Sequence, residues 1–184
     1  SCMDEKISKL RKEDEKLYNS QSKLKIDHPK RVLYWAKKIT KKEKCNEKIL
    51  ECAVWLHDIG RLFGSKKDHA YVSAVKGKEI LLKIGFPTDF VEKVVECVKS
   101  HSNGKPKSIE AKILWDADRI DLTGAIGIHR AYIQAFENGE FNIKKFDMFI
   151  KRKTKNLLKN MKTKTGKKIA KKRLWLTRIF IREL

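Results

Sequence analysis

The chain has 184 residues, 41% of them hydrophobic and 36% charged, with a formal net charge of +21 at pH 7. That length and apolar share suit one globular domain with a sizeable core and exclude a disordered chain. No apolar run approaches the roughly 18–20 residues of a membrane span. The basic excess is either a solvated lysine face or a surface for anionic partners such as nucleotides or nucleic acid.

Ser1-Cys2 ahead of Met3 is set aside as a cloning remnant. The charged N-terminus carries no secretory signal. Cys45, Cys52 and Cys97 are widely spaced and show no paired pattern, so reduced thiols and a cytoplasmic location are expected.

Residues 4–18 predict a charged helix with Ile7, Leu10 and Leu17 as its apolar side. A polar break over 19–23 precedes Asp27-His28-Pro29-Lys30-Arg31-Val32, where Asp27 is a fair N-cap and Pro29 fits a first turn. Val32, Trp35, Ala36 and Ile39 carry that helix on. A helix starting near Asn46 runs through Ile49, Leu50, Ala53 and Val54 into Leu56-His57-Asp58-Ile59-Gly60, with Gly60 read as its C-terminal glycine. After a loop over 61–68, His69 opens a helix that Gly85-Phe86-Pro87 ends. Thr88 caps the next, with Val91, Val94, Val95 and Val98 inward, reaching Ser100-His101.

Ser108 caps a helix into Asp116-Ala117-Asp118-Arg119-Ile120-Asp121, and a helical pattern resumes over 122–137. Two more helices are expected at about 144–160 and 166–183, the last packed through Ile169, Leu176, Ile179 and Phe180. Trp35, Trp55, Trp115 and Trp175 are read as core. Strand-like alternation is absent. The fold class is all-α, a single helical domain over residues 4–184 with about seven to nine helices and its basic C-terminal helices docked on the body. Residues 141–184 hold 16 Lys and Arg against 2 Asp and Glu.

His57 and Asp58 form an ionisable pair at the end of a buried helix, which is costly unless a charge compensates it. A divalent cation does so, because imidazole nitrogen and carboxylate oxygen both bind such ions. His28, His57, Asp58 and Asp118 each fall at or near a helix terminus, so three helices could bring them to one point. The alternative is a satisfied core histidine beside a surface aspartate.

The order His…His-Asp…Asp resembles the HD-domain superfamily of metal-dependent phosphohydrolases. The likeness extends to the segments 27–32, 53–60, 100–102, 116–121 and 124–128, and to Thr163, Gly166, Ala170, Arg173 and Phe180. The segment 124–128 and the C-terminal residues resemble the small bacterial and archaeal HD hydrolases. Leu122-Thr123 and the more basic C-terminus depart from that pattern. The resemblance implies one divalent metal held by His28, His57, Asp58 and Asp118; imidazole ligands suit transition metals, so manganese is the expected ion, with cobalt, nickel, iron or magnesium as alternatives. It also implies cleavage of phosphate esters or anhydrides, most often of nucleotides.

His69 follows His57 by only 12 residues and His101 stands alone, so a two-metal site is not expected. Arg31, one turn from His28, either meets a substrate phosphate or lies along the surface. Asp58 serves the chemistry as a ligand. Asp121 either orients or deprotonates a water, or is structural. His69 and His101 either meet phosphate, protonate a leaving group, or merely end helices. His129 is about 16 Å past Asp118 along a continuous helix, too far to share the metal unless Gly124 or Gly127 bends the chain, and it is not expected to be a ligand. The competing function is a nucleic-acid-binding protein or nuclease that uses the basic C-terminal region.

Overall fold

The structure, a computed structural model, describes the chain apart from residues 22, 65–66 and 140–141, and the backbone alone at 21 and 23–26. The described residues form ten α-helical segments and one 3-10 turn, with no strand among them. They are α1 (Cys2–Gln21), α2 (Lys23–Thr40), α3 (Glu47–Leu56), the 3-10 turn Ile59–Phe63, α4 (His69–Ile84), α5 (Thr88–Ser100), α6 (Ile109–Ile120), α7 (Gly124–Glu137), α8 (Ile143–Thr154), α9 (Leu157–Asn160) and α10 (Lys164–Glu183). The fold is all-α, as expected. The chain divides into two compact units, Ser1–Trp115 and Asp116–Leu184.

In the first unit α3 is central because its sequence is apolar nearly all round. Ile49, Leu50 and every residue from Cys52 to Leu56 are buried. Asn46 starts it, its side chain accepting from the Lys48 and Ile49 amides at 3.1 and 3.2 Å. Helices α1, α2 and α5 pack on α3, and α4 packs on α5 and on the 3-10 turn. The valine stripe of α5 is buried as expected. Gly85 ends α4 at φ +93°, and its amide reaches back to the Leu81 and Leu82 carbonyls.

Three boundaries differ from the sequence reading. The helix carrying His28 begins at Lys23, so Asp27 is not its N-cap and Pro29 lies inside it. The expected break over 19–23 narrows accordingly, residue 22 lying outside the described residues. Helix α3 ends at Leu56 with His57 as C-cap; Gly60 falls in the following 3-10 turn instead of closing the helix. The helix expected over 144–160 breaks after Thr154, where Asn156 adopts φ +60°.

In the second unit Asp116, fully buried, accepts hydrogen bonds from the Lys162 amide at 2.8 Å and from the Thr163 amide and hydroxyl at 2.7 Å. It thereby holds the N-terminus of α10 to the end of α6. Burial pushes the Asp116 carboxyl above its ordinary range, and those hydrogen bonds oppose the shift. Ala131, Ala135, Phe146, Phe149 and Ile150 form a small core, with Phe180 and Ile181 packed against it.

Helix α10 buries Gly166, Ala170, Leu174 and Thr177, a face rotated from the one expected. Small residues let its backbone approach α7: the Gly124 amide donates to Thr177 Oγ1 at 3.0 Å. Leu176 is consequently exposed. Trp175 is 66% exposed and belongs to no core, contrary to expectation; Trp55 and Trp115 are buried as expected.

Candidate metal centre

Two helices of the first unit end in the same way. His57 caps the C-terminus of α3, and its Nδ1 donates to the Val54 carbonyl at 2.7 Å. His101 caps the C-terminus of α5, and its Nδ1 donates to the Val98 carbonyl at 2.6 Å. In each case the bond back to residue i−3 assigns the ring proton to Nδ1 and leaves an Nε2 lone pair pointing away from the helix end. The rings stand edge to face, centroids 5.2 Å apart.

A second imidazole meets each lone pair. His28, from α2, places Nε2 3.2 Å from Nε2 of His57. His69, the first residue of α4, places Nε2 3.2 Å from Nε2 of His101. Asp58 lies between the pairs. Its Oδ2 faces His28 and His57 at 3.7 and 3.9 Å. Its Oδ1 faces His69 and His101 at 3.5 and 3.6 Å. One carboxylate is thus shared by two donor groups, His28/His57/Asp58 and Asp58/His69/His101. The chain separations of His69 and His101 gave no sign of this second group.

Gly60 makes the approach of His69 possible. A methyl group on Gly60 would lie 2.8 Å from the Ser73 amide nitrogen and nearer still to the His69 carbonyl oxygen. The Gly60 amide itself donates to Ser73 Oγ at 2.8 Å. This glycine therefore serves close packing of the 3-10 turn on α4, at an ordinary negative φ.

Burial works to raise the Asp58 carboxyl, but His57, His101, Arg61 and His28 outweigh it and hold the group well below its ordinary range. Arg61, which the sequence reading passed over, donates from Nε to Asp58 Oδ1 at 3.0 Å and sets Nη2 3.1 Å from His69 Nε2. Its spacing of three residues from Asp58 was the available signal. The Asp58 side chain is 16% exposed and that of Arg61 47%, so the centre opens to solvent on the arginine side.

Tyr18, on α1, was also missed. It is buried, its hydroxyl has no hydrogen-bond partner among the described residues, and burial raises its pKa, with Asp14 and Asp58 adding to the shift.

The converging lone pairs and carboxylate fit a divalent cation, since a dense cluster of electron-pair donors with few protons is what such an ion neutralises. Arg31 lies one turn beyond His28 on α2 and is half-buried. Asp118 and Asp121 belong to the second unit. Asp118 is 24% exposed, with Arg119 Nη1 3.7 Å away. Asp121 is buried and accepts from Arg130 Nη1 at 2.7 Å. His129 is exposed on α7.

A buried imidazole–carboxylate cluster of this kind in an all-α fold marks a helical domain with side chains able to hold a metal ion. The chain belongs to the HD domain family, whose model it matches over residues 26–123, from α2 through the end of α6. It is 33% identical over 117 residues to YpgQ of Bacillus subtilis, the aligned stretch taking in 61% of this chain and 57% of that protein. The crystal structure of Bacillus subtilis YpgQ in complex with ADP matches 100% of this chain and 95% of its own, with a TM-score of 0.83 at 25% identity. An HD-superfamily hydrolase from Bacillus thuringiensis matches 98% of this chain and 95% of its own, with a TM-score of 0.82 at 25% identity. A predicted HD superfamily hydrolase from an uncultured Thermotogales bacterium matches 96% and 89%, with a TM-score of 0.72 at 26% identity.

Proposed function

We propose that this chain is a divalent-metal-dependent phosphohydrolase whose substrate is a nucleotide. The observation that carries the reading is the Asp58 carboxylate, set between two imidazole pairs and open to solvent beside Arg61. The ADP in the YpgQ crystal structure supports the choice of a nucleotide.

His28, His57 and Asp58 hold the ion in this reading, with Asp118 as the fourth ligand on the strength of the family resemblance. A divalent ion bound there supplies Lewis-acid activation of a phosphoryl group and of the attacking water. Arg31 and Arg61 neutralise phosphate oxygens, for which the planar guanidinium is suited. His69 and His101 meet the substrate phosphate from the other side of Asp58, donating from Nε2 when the rings carry a second proton. Asp121 orients a water instead of deprotonating it, because a carboxylate already paired with Arg130 is a weak base.

Manganese is the proposed ion, since imidazole ligands suit transition metals and magnesium prefers oxygen. The experiment is release of phosphate or pyrophosphate from a panel of nucleoside mono-, di- and triphosphates with manganese, cobalt, nickel, iron or magnesium added. Turnover with at least one nucleotide, fastest with manganese, is expected. No release with any metal, by protein shown to be folded and metal-loaded, overturns the reading.

A further inference from the structure

Between Met148 and Arg182 the chain holds 14 Lys and Arg and no Asp or Glu. Helix α10 sorts those charges by face. Gly166, Ala170, Leu174 and Thr177 are buried on one side. Lys164, Lys168, Lys171, Trp175, Arg178 and Arg182 are all exposed. At about 100° per residue those six fall within roughly 40° of one line along the helix. They form a stripe of five cations around one tryptophan, about 27 Å long. None of the five cations has an ion pair or hydrogen-bond partner among the described residues.

We propose that this stripe binds single-stranded nucleic acid, the cations lying along the phosphates and Trp175 stacking on a base. Charge complementarity points to a polyanion, for an acid-free row of cations on a docked helix has no intramolecular use. The row itself points to a strand, because its six side chains recur about every 4.5–6 Å along the axis, the one wider cation step (about 10.5 Å, Lys171 to Arg178) being filled by Trp175, a ladder suited to successive phosphates and a base. The tryptophan points to unpaired bases, since a base in a duplex has no free face to offer it. A membrane surface is the poorer match: α10 buries Ala170 and Leu174 within the protein, and its outward stripe holds five cations with Trp175 as its single apolar side chain. The proposal stands apart from the metal centre and does not depend on the phosphohydrolase reading.

The test is fluorescence anisotropy of a fluorescein-labelled oligothymidylate of roughly 20 nucleotides, titrated with the full chain between about 50 and 300 mM NaCl. A linear fall of log affinity with log salt is expected, with a slope near −0.7 per phosphate neutralised. Lys168→Glu/Lys171→Glu is expected to flatten that slope by about 1.4 and to weaken binding at least about ten-fold at low salt. Trp175→Ala is expected to weaken binding about five- to a hundred-fold without changing the slope, and Trp175→Phe to restore most of it. Circular dichroism melts matching wild type establish that the variants are folded, and Lys168→Gln/Lys171→Gln is the milder replacement if the reversal is not. Absence of binding, binding that all the variants retain, or capture by phosphatidylserine vesicles without affinity for the oligonucleotide overturns the proposal.

Discussion

His57 and His101 hold one pose at the ends of two different helices: each ring donates from Nδ1 to a carbonyl three residues back and turns Nε2 toward Asp58. A helix C-terminus offers unsatisfied carbonyls, and imidazole is the side chain that can bond one of them while presenting a lone pair at the opposite corner. That local arrangement explains why both histidines sit at C-caps, and it turns two electron-pair donors toward Asp58.

Metal content tests the ligand set. The purified protein is expected to carry about one divalent ion per chain, because four ligands leave an octahedral ion open to water and substrate. His57→Ala and Asp118→Ala should each lose it. His101→Ala should keep the ion and raise KM, in line with a contact to substrate. Elemental analysis alongside steady-state kinetics reads both; full occupancy in His57→Ala and Asp118→Ala would remove the assignment, and two ions per chain would make His69 and His101 ligands.

Gly60→Ala tests the packing that delivers His69. The added methyl would overlap the His69 carbonyl and the start of α4, so a loss of about 1–3 kcal/mol is expected. Metal affinity should fall with it. Urea unfolding and metal titration on the same preparation measure the two effects, and a variant as stable as wild type would show that the turn and α4 can separate freely.

Asp14 gives a pH signature. It is 1% exposed, neither carboxylate oxygen has a hydrogen-bond partner among the described residues, and burial raises its pKa well above the ordinary range. The native chain therefore keeps a proton that the unfolded chain releases, and stability falls as pH rises above the ordinary carboxylate pKa toward the raised one. Asp14→Asn should stabilise the protein at neutral pH by about 1–2 kcal/mol. That gain should vanish below the ordinary carboxylate range, where both side chains are neutral. Thermal melts across that pH range check it; a gain independent of pH would show that the charge is not its source.

Arg61→Ala and Arg31→Ala separate two uses of an arginine. Loss of Arg61 removes the 3.0 Å contact to Asp58, so both substrate binding and the setting of the carboxylate should suffer and kcat/KM should fall at least about ten-fold. Arg31→Ala should raise KM alone if its contact is equally strong in ground and transition states. Equal kinetics in wild type and Arg61→Ala would make that arginine a structural partner only.

The all-α class, most helix positions and the residues His28, His57 and Asp58 were readable in the sequence, because apolar period and caps are local properties. Asn46, Gly85 and Ser108 each mark a helix end through their own bonds or dihedral angles. What lay beyond the sequence depended on which surfaces meet. His69 and His101 are 32 residues apart, and only the packing of α4 on α5 and on the turn after Asp58 brings their nitrogens within 3.2 Å. The need for glycine at position 60 comes from the backbone of α4, which no spacing within its own segment reveals. Trp175 and Leu176 look like core residues by composition, yet α10 docks through its small residues and leaves both outside. Hydrophobicity along a chain specifies that a helix has a buried face; the depth and angle of the partner helix decide which residues occupy it.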